Sequence, residues 1–123
     1  MCLRRNPDTH AVEVLMIERS QDDTAYPGQM HCPGTVMRSG ESIEEMFERL
    51  SRKEVNARLY GQKFIGFDNN TAEARGHFLH LIHLVQVDDP NNGSWHPIND
   101  LPKNTVEHHR TIVIPTAVKA FMG

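Results

Sequence analysis

The feature that most constrains this 123-residue chain is an acid that lands on the apolar side of a helix. Ser42 followed by Glu45 has the spacing of a capping box, in which each side chain satisfies the other residue's backbone N–H, so a helix starts after Ser42. Continued to about Asn56 at helical spacing, it gathers Ile43, Met46, Phe47, Leu50 and Ala57 on one stripe, and Glu54 falls on the same stripe. The macrodipole near a helix C-terminus opposes a negative charge, so an inward carboxylate there calls for a cation, a metal or several donors to receive it. The other reading is that the helix has left the core by its last turn and Glu54 is simply wet. Periodicity leaves both open.

The rest of the chain supplies strands for that helix to cover. Residues 11–17 alternate and then run apolar through Val12, Val14, Leu15, Met16 and Ile17, a strand covered on at least one face, after a turn at Asn6-Pro7-Asp8. A polar loop with Asp22, Asp23, Pro27 and Gly28 leads to a second strand expected over about 30–37 and broken by Pro33-Gly34. Two more strands are expected over 59–67 and 77–87, with Asp68-Asn69-Asn70 and the polar stretch after it suited to a hairpin loop. In the later strand Phe78, Ile82 and Leu84 share one side and Leu79, Leu81, Val85 and Val87 the other, which predicts a central strand sandwiched between layers. Turn signals at Asp89-Pro90-Asn91-Asn92-Gly93 precede Trp95 and a loop through Pro102, and the apolar segment 112–122 reads as a closing helix. There is no internal repeat.

Length suits one domain over 1–123, long enough for a core without disulfide or zinc staples. A formal net charge of -3 gives no basic footprint, which argues against nucleic-acid polymers and anionic membranes and for small molecules or protein partners. No apolar run approaches bilayer length. Cys2 and Cys32 have neither a secretory leader nor metal-type spacing around them, so a reduced, cytoplasmic setting is expected.

The run Pro33-Gly34-Thr35-Val36-Met37-Arg38-Ser39-Gly40-Glu41-Ser42, followed by Arg49 and Glu54, resembles the Nudix box, a loop-helix-loop of pattern G-x5-E-x7-R-E-U-x-E-E-x-G-U with U a bulky aliphatic residue. Gly34, Glu41, Arg49 and Glu54 fall on motif positions, with one extra residue in the loop between Gly34 and Glu41. The strand 14–19, the loop 95–102 and the closing helix are also similar to the family, so the resemblance covers nearly the whole chain. It implies an α/β fold, a Nudix-type α/β/α sandwich with a mixed β-sheet between the box helix and the C-terminal helix. Family members typically hydrolyse nucleoside diphosphates linked to another moiety, using Mg²⁺ or Mn²⁺ on oxygen ligands of the box helix. The resemblance implies that Glu54 is a metal ligand with the Gly34 carbonyl as another, that Arg49 orients a carboxylate, and that Glu41 supports the loop.

The chain departs from the motif where it has Leu50 and Lys53 in place of two helix glutamates, and Ser51 and Asn56 in place of the aliphatic residue and the glycine. Leu50 offers no oxygen, and Lys53 puts a positive charge beside a site that must attract a dication. Two functional readings follow, beside a third in which the domain serves protein interaction and takes no ligand. One is a metal-dependent hydrolase of a nucleoside-diphosphate-linked molecule using Glu54, Arg49 and Glu41 with an acid from elsewhere, such as Glu73 or Glu107. The other is a module that binds a nucleotide-type or regulatory ligand without hydrolysis, in which Lys53 contacts a phosphate, although a solvated Lys53 beside Arg52 at the helix C-terminus is the simpler reading. The acidic run Glu41, Glu44, Glu45 and Glu48 reads as a solvated face. His108 or Arg110, ahead of the closing helix, are candidate substrate contacts, and the adjacent His109 must point elsewhere. His77, His80 and His83 read as hydrogen-bonded core or rim residues, and Trp95 beside Pro97 as packing. Family members open with a full strand where only residues 1–5 are available here, so a short edge is expected, with either a natural start further upstream or a homodimer partner covering the gap.

Overall fold

The computed structural model describes residues 1–73 and 75–123. Its hub is β2 (Val12–Glu18), whose first six residues are buried. Antiparallel to it run β1 (Leu3–Arg5), β3 (Met30–His31) and β6 (Ser94–Pro97). The chain start ties this group to the long hairpin of β4 (Leu59–Glu73) and β5 (Gly76–Val87), because Cys2 bridges Val85 in parallel and Val85 N–H donates to Met1 O at 2.9 Å. The sheet is therefore mixed. The alternation of β2 divides the interior: Val14 and Met16 pack with Ile82, Val113, Ile114 and Ala117, while Leu15 and Ile17 pack with Phe47, Leu50, Val55 and Val85. One cluster lies under α1 (Ile43–Leu50) and the other under α2 (Ile114–Met122), giving the expected α/β/α sandwich.

Helix α1 begins as its cap requires. Ser42 Oγ accepts from the Glu45 N–H at 3.1 Å, and the Glu45 carboxylate accepts from the Ser42 N–H at 3.2 Å. It does not stay regular. Residues Ser51–Val55 form a wide π turn that ends at Asn56, left-handed at φ 52°, a conformation asparagine tolerates. In a π turn the residue below Leu50 is five positions on, so the apolar stripe continues at the fully buried Val55. The expectation that Glu54 lies on the stripe is corrected accordingly: it is displaced to the edge and is half-buried. A second π turn, His109–Val113, leads into α2.

Three other expectations need correction. Only Met30 and His31 of the segment 30–37 are strand, because Pro33-Gly34 ends the ladder. Asp68-Asn69-Asn70 is not a loop: these residues pair with His80, Leu79 and Phe78, and the hairpin closes at Glu73 and Gly76. The outer part of β5 is not sandwiched, since α1 ends its cover near His83 and leaves Leu79 62% and Leu81 51% exposed.

Strand β6 also appears inside what reads as loop. Its approach to β2 depends on Gly93 at φ +93°, where a Cβ would meet Met16 O at 2.6 Å. Trp95 is packing, half-buried under the Arg4 guanidinium at 4.4 Å from the ring centroid. The homodimer expected to cover a short first strand finds no support, since residues 1–5 lie between β2 and β5 and their ladder partners come from the same chain.

Candidate functional site

The loop before α1 is held by one side chain. Arg49 donates from Nε to Glu41 Oε2 at 2.9 Å and from Nη2 to Glu41 Oε1 at 2.8 Å. It also donates to Thr35 Oγ1 at 2.6 Å and to the Val36 carbonyl at 2.9 Å. Glu41 completes the ring by accepting the Arg38 N–H at 3.1 Å. This bidentate pair shapes the turn that carries Gly34, which is exposed. The Arg49 guanidinium and the Arg38 N–H pull the Glu41 carboxyl down to about 2.

Past this clamp the helix offers little to a hard cation. Leu50 is buried in the core and Lys53 is exposed. Glu54 is the remaining carboxylate of the motif, and among the described residues its side chain makes no hydrogen bond or ion pair within 4 Å. Partial burial raises its proton affinity, which Arg19 and Arg49 nearby counteract and Asp23 reinforces. One carboxylate beside a lysine is not a donor set for Mg²⁺ or Mn²⁺, which take several oxygens, so the box helix does not fit the metal its motif implies.

A second cluster lies where β4, β5 and the segment before α2 meet. Its pocket, of about 40 Å³, is lined by Arg19, Tyr26, Glu73, Arg75, His80 and His108 among others. Arg19 belongs to both places, as it lines this pocket and is the first charge felt by Glu54. Its guanidinium is held by Asp23 at 3.0 Å and by the Ala25 carbonyl at 2.8 Å. His108 Nε2 meets Asp68 Oδ2 at 2.6 Å, and His80 Nδ1 lies 3.8 Å from the same oxygen. Burial, with His108 adding to it, lowers the proton affinity of His80. Behind them His109 Nδ1 accepts the Cys32 N–H at 3.0 Å, and burial pushes His109 down to about 3 and His31 to about 4.

The expected site residues thus separate into groups. Glu41 and Arg49 form the clamp, Glu54 feels the charge of Arg19 without an ion pair to it within 4 Å, and Glu73 and His108 line the histidine pocket. Glu73 sits at the end of β4 and not in a loop, bound to Arg75 at 2.9 Å. Glu107 is exposed and 3.8 Å from Arg110, which donates to the Pro102 carbonyl at 2.6 Å and so braces a loop. Neither lines the pocket. Sequence reasoning missed Arg19, Arg75 and Asp68, and it took His80 for a satisfied histidine although its Nδ1 is buried with no hydrogen-bond partner among the described residues. The signal for Asp68 and His80 is their register across β4 and β5, which turn-forming residues at 68–70 conceal.

The architecture has solved counterparts. A mutT/nudix family protein from Listeria innocua superposes with a TM-score of 0.71 at 17% identity, covering 98% of this chain and 88% of its own. The Nudix domain of Shewanella oneidensis NrtR, solved as a complex with ADP ribose, gives a TM-score of 0.77 at 15% identity over 98% of this chain and 83% of that one. The chain has the Nudix fold. In the longer structure of Shewanella oneidensis NrtR, the Nudix fold seen here matches 59% of the chain with a TM-score of 0.72. No family model and no curated protein matches the sequence. Among the described residues no helix is long and apolar enough to cross a membrane.

Proposed function

We propose that this Nudix-fold protein binds a small molecule linked to a nucleoside diphosphate and does not hydrolyse it by the metal chemistry of the box helix. The observation that carries the reading is the split fate of the motif. The Arg49–Glu41 clamp that shapes the loop is complete, whereas Leu50 is committed to the core and Lys53 to solvent, leaving Glu54 alone. Arg19, which lines the histidine pocket and is held there by Asp23 and the Ala25 carbonyl, presents a guanidinium of the kind suited to a phosphate oxygen. The ADP ribose held by the Shewanella Nudix domain makes a ligand of that class the first to test. Two buried free thiols support a reducing, cytoplasmic setting.

The hydrolase reading keeps one specific observation. Partial burial makes Glu54 a better proton acceptor than an ordinary carboxylate, the property of a general base that activates water. Calorimetry with ADP-ribose, beside a phosphate-release assay with and without Mg²⁺ or Mn²⁺, separates the readings. The binding module gives saturable heat that chelator does not change, no turnover, and little change in Glu54→Gln. Metal-dependent turnover that Glu54→Gln abolishes would establish the hydrolase instead. If neither ADP-ribose nor any nucleotide sugar, dinucleotide or nucleoside triphosphate binds, the nucleotide reading fails altogether.

A further inference from the structure

We propose that Asp68, His80 and His108 form a zinc site, independent of the box helix, that pins the segment before α2 onto the β4–β5 hairpin. One ligand atom from each, a ring nitrogen of His80, a ring nitrogen of His108 and an Asp68 carboxylate oxygen, lies within 4.8 Å of the other two. Two imidazole nitrogens and a carboxylate are a donor set for a borderline ion such as Zn²⁺ and not for Mg²⁺, which prefers oxygen throughout. With metal-ligand bonds of about 2.1 Å, ligand atoms around a tetrahedral ion stand about 3.4 Å apart. The observed 2.6 Å from His108 to Asp68 and 3.8 Å from His80 to Asp68 fall on either side of that value, so both contacts to Asp68 reach it with changes of less than about an ångström.

The hydrogen-bonding pattern points the same way. His108 Nε2 and Asp68 Oδ2 are hydrogen-bonded to each other, which satisfies that pair. His80 Nδ1 faces the same carboxylate oxygen, is buried, and has no partner among the described residues. A buried imidazole nitrogen left without a hydrogen bond beside a carboxylate is a group that a bound cation satisfies. As Zn²⁺ enters, His108 exchanges its proton from Nε2 to Nδ1 by way of solvent, so that its ring stays neutral and the Nε2 lone pair, the His80 Nδ1 lone pair and the Asp68 carboxylate converge on the ion. The neighbouring cations do not bar this, because Arg75 is paired with Glu73 at 2.9 Å and Arg19 with Asp23 at 3.0 Å. The adjoining pocket of about 40 Å³ has room for about one water to complete a tetrahedron.

The test is calorimetric titration of chelator-stripped protein with Zn²⁺, repeated with Co²⁺ to read the visible bands of a tetrahedral ion. One ion per chain is expected, with a rise in melting temperature. Asp68→Asn, which keeps the side-chain shape, and His80→Ala should each weaken binding by more than about 100-fold, since disturbing only the partners of metal ligands already costs 10–100-fold. Melting curves of the metal-free variants establish that they fold. Glu54→Gln should bind Zn²⁺ as the unaltered chain does, so failure of the nucleotide reading leaves this result untouched. Absence of one-site binding overturns the proposal, as does binding that survives both Asp68→Asn and His80→Ala or that is lost in Glu54→Gln.

Discussion

Arg49 is the residue from which the loop ahead of the box helix hangs, since its fork reaches a carboxylate, a hydroxyl and a carbonyl on three different residues. Glu41 is acidic in the folded chain, at about 2 against an ordinary 4.5, so the clamp favours the folded state fully above about pH 4.5 and is lost as pH falls toward about 2. Glu41→Gln should therefore melt several degrees lower at pH 7, and its deficit relative to the unaltered chain should shrink as the buffer is taken through that window. Thermal melts followed by circular dichroism at closely spaced pH values check this. Arg49→Lys should melt low as well, because an ammonium cannot reproduce the bidentate fork. The residues at 41 and 49 were legible in the sequence because motif spacing alone brings them together. Asp68 and His80 were not, since nothing local sets the register that makes them neighbours.

Among the elements, α1 shows what local chemistry does and does not reveal. Its start is written in Ser42 and Glu45, and Ser42→Ala should cost about 1 kcal/mol in urea unfolding with an unchanged slope, because the first turn loses an N–H acceptor. Its last turn is not written locally. A projection at 3.6 residues per turn places Glu54 on the apolar stripe, and only packing against Leu15, Ile17 and Leu59 shows that Val55 takes that place through a wider turn. Strand β2 was legible from its continuous apolar run. Strand β6 was not, because Ser94, Trp95, His96 and Pro97 have no alternation to read and pair with β2 only through the approach that Gly93 allows. The hairpin was foreseen but misjudged in length, since pairing with β5 overrides the turn preference of Asp68-Asn69-Asn70.

For the whole molecule, the two-sided core predicts how acid unfolds it. His31 and His109 lie together, their ring centroids 6.2 Å apart, beside the cluster under α2, and burial holds both neutral. Their folded values of about 4 and about 3 lie below the unfolded 6.5, so the unfolded chain takes up protons first. Stability should hold above about pH 6.5 and fall as the pH descends toward 4 and 3. His109→Ala should flatten that decline while costing about 1–3 kcal/mol at neutral pH, because the Cys32 N–H loses its acceptor. Melting temperatures across pH 4–8 for both chains decide it; an unaltered slope would mean that other groups drive acid unfolding. The wide turn at 51–55 has a broader consequence. By looping out one residue more than an ordinary helix needs, it leaves Arg52 and Lys53 on a wet rim above the buried Val55, so substitutions at 52 and 53 can rewrite the charge of that rim while the packing beneath stays as it is.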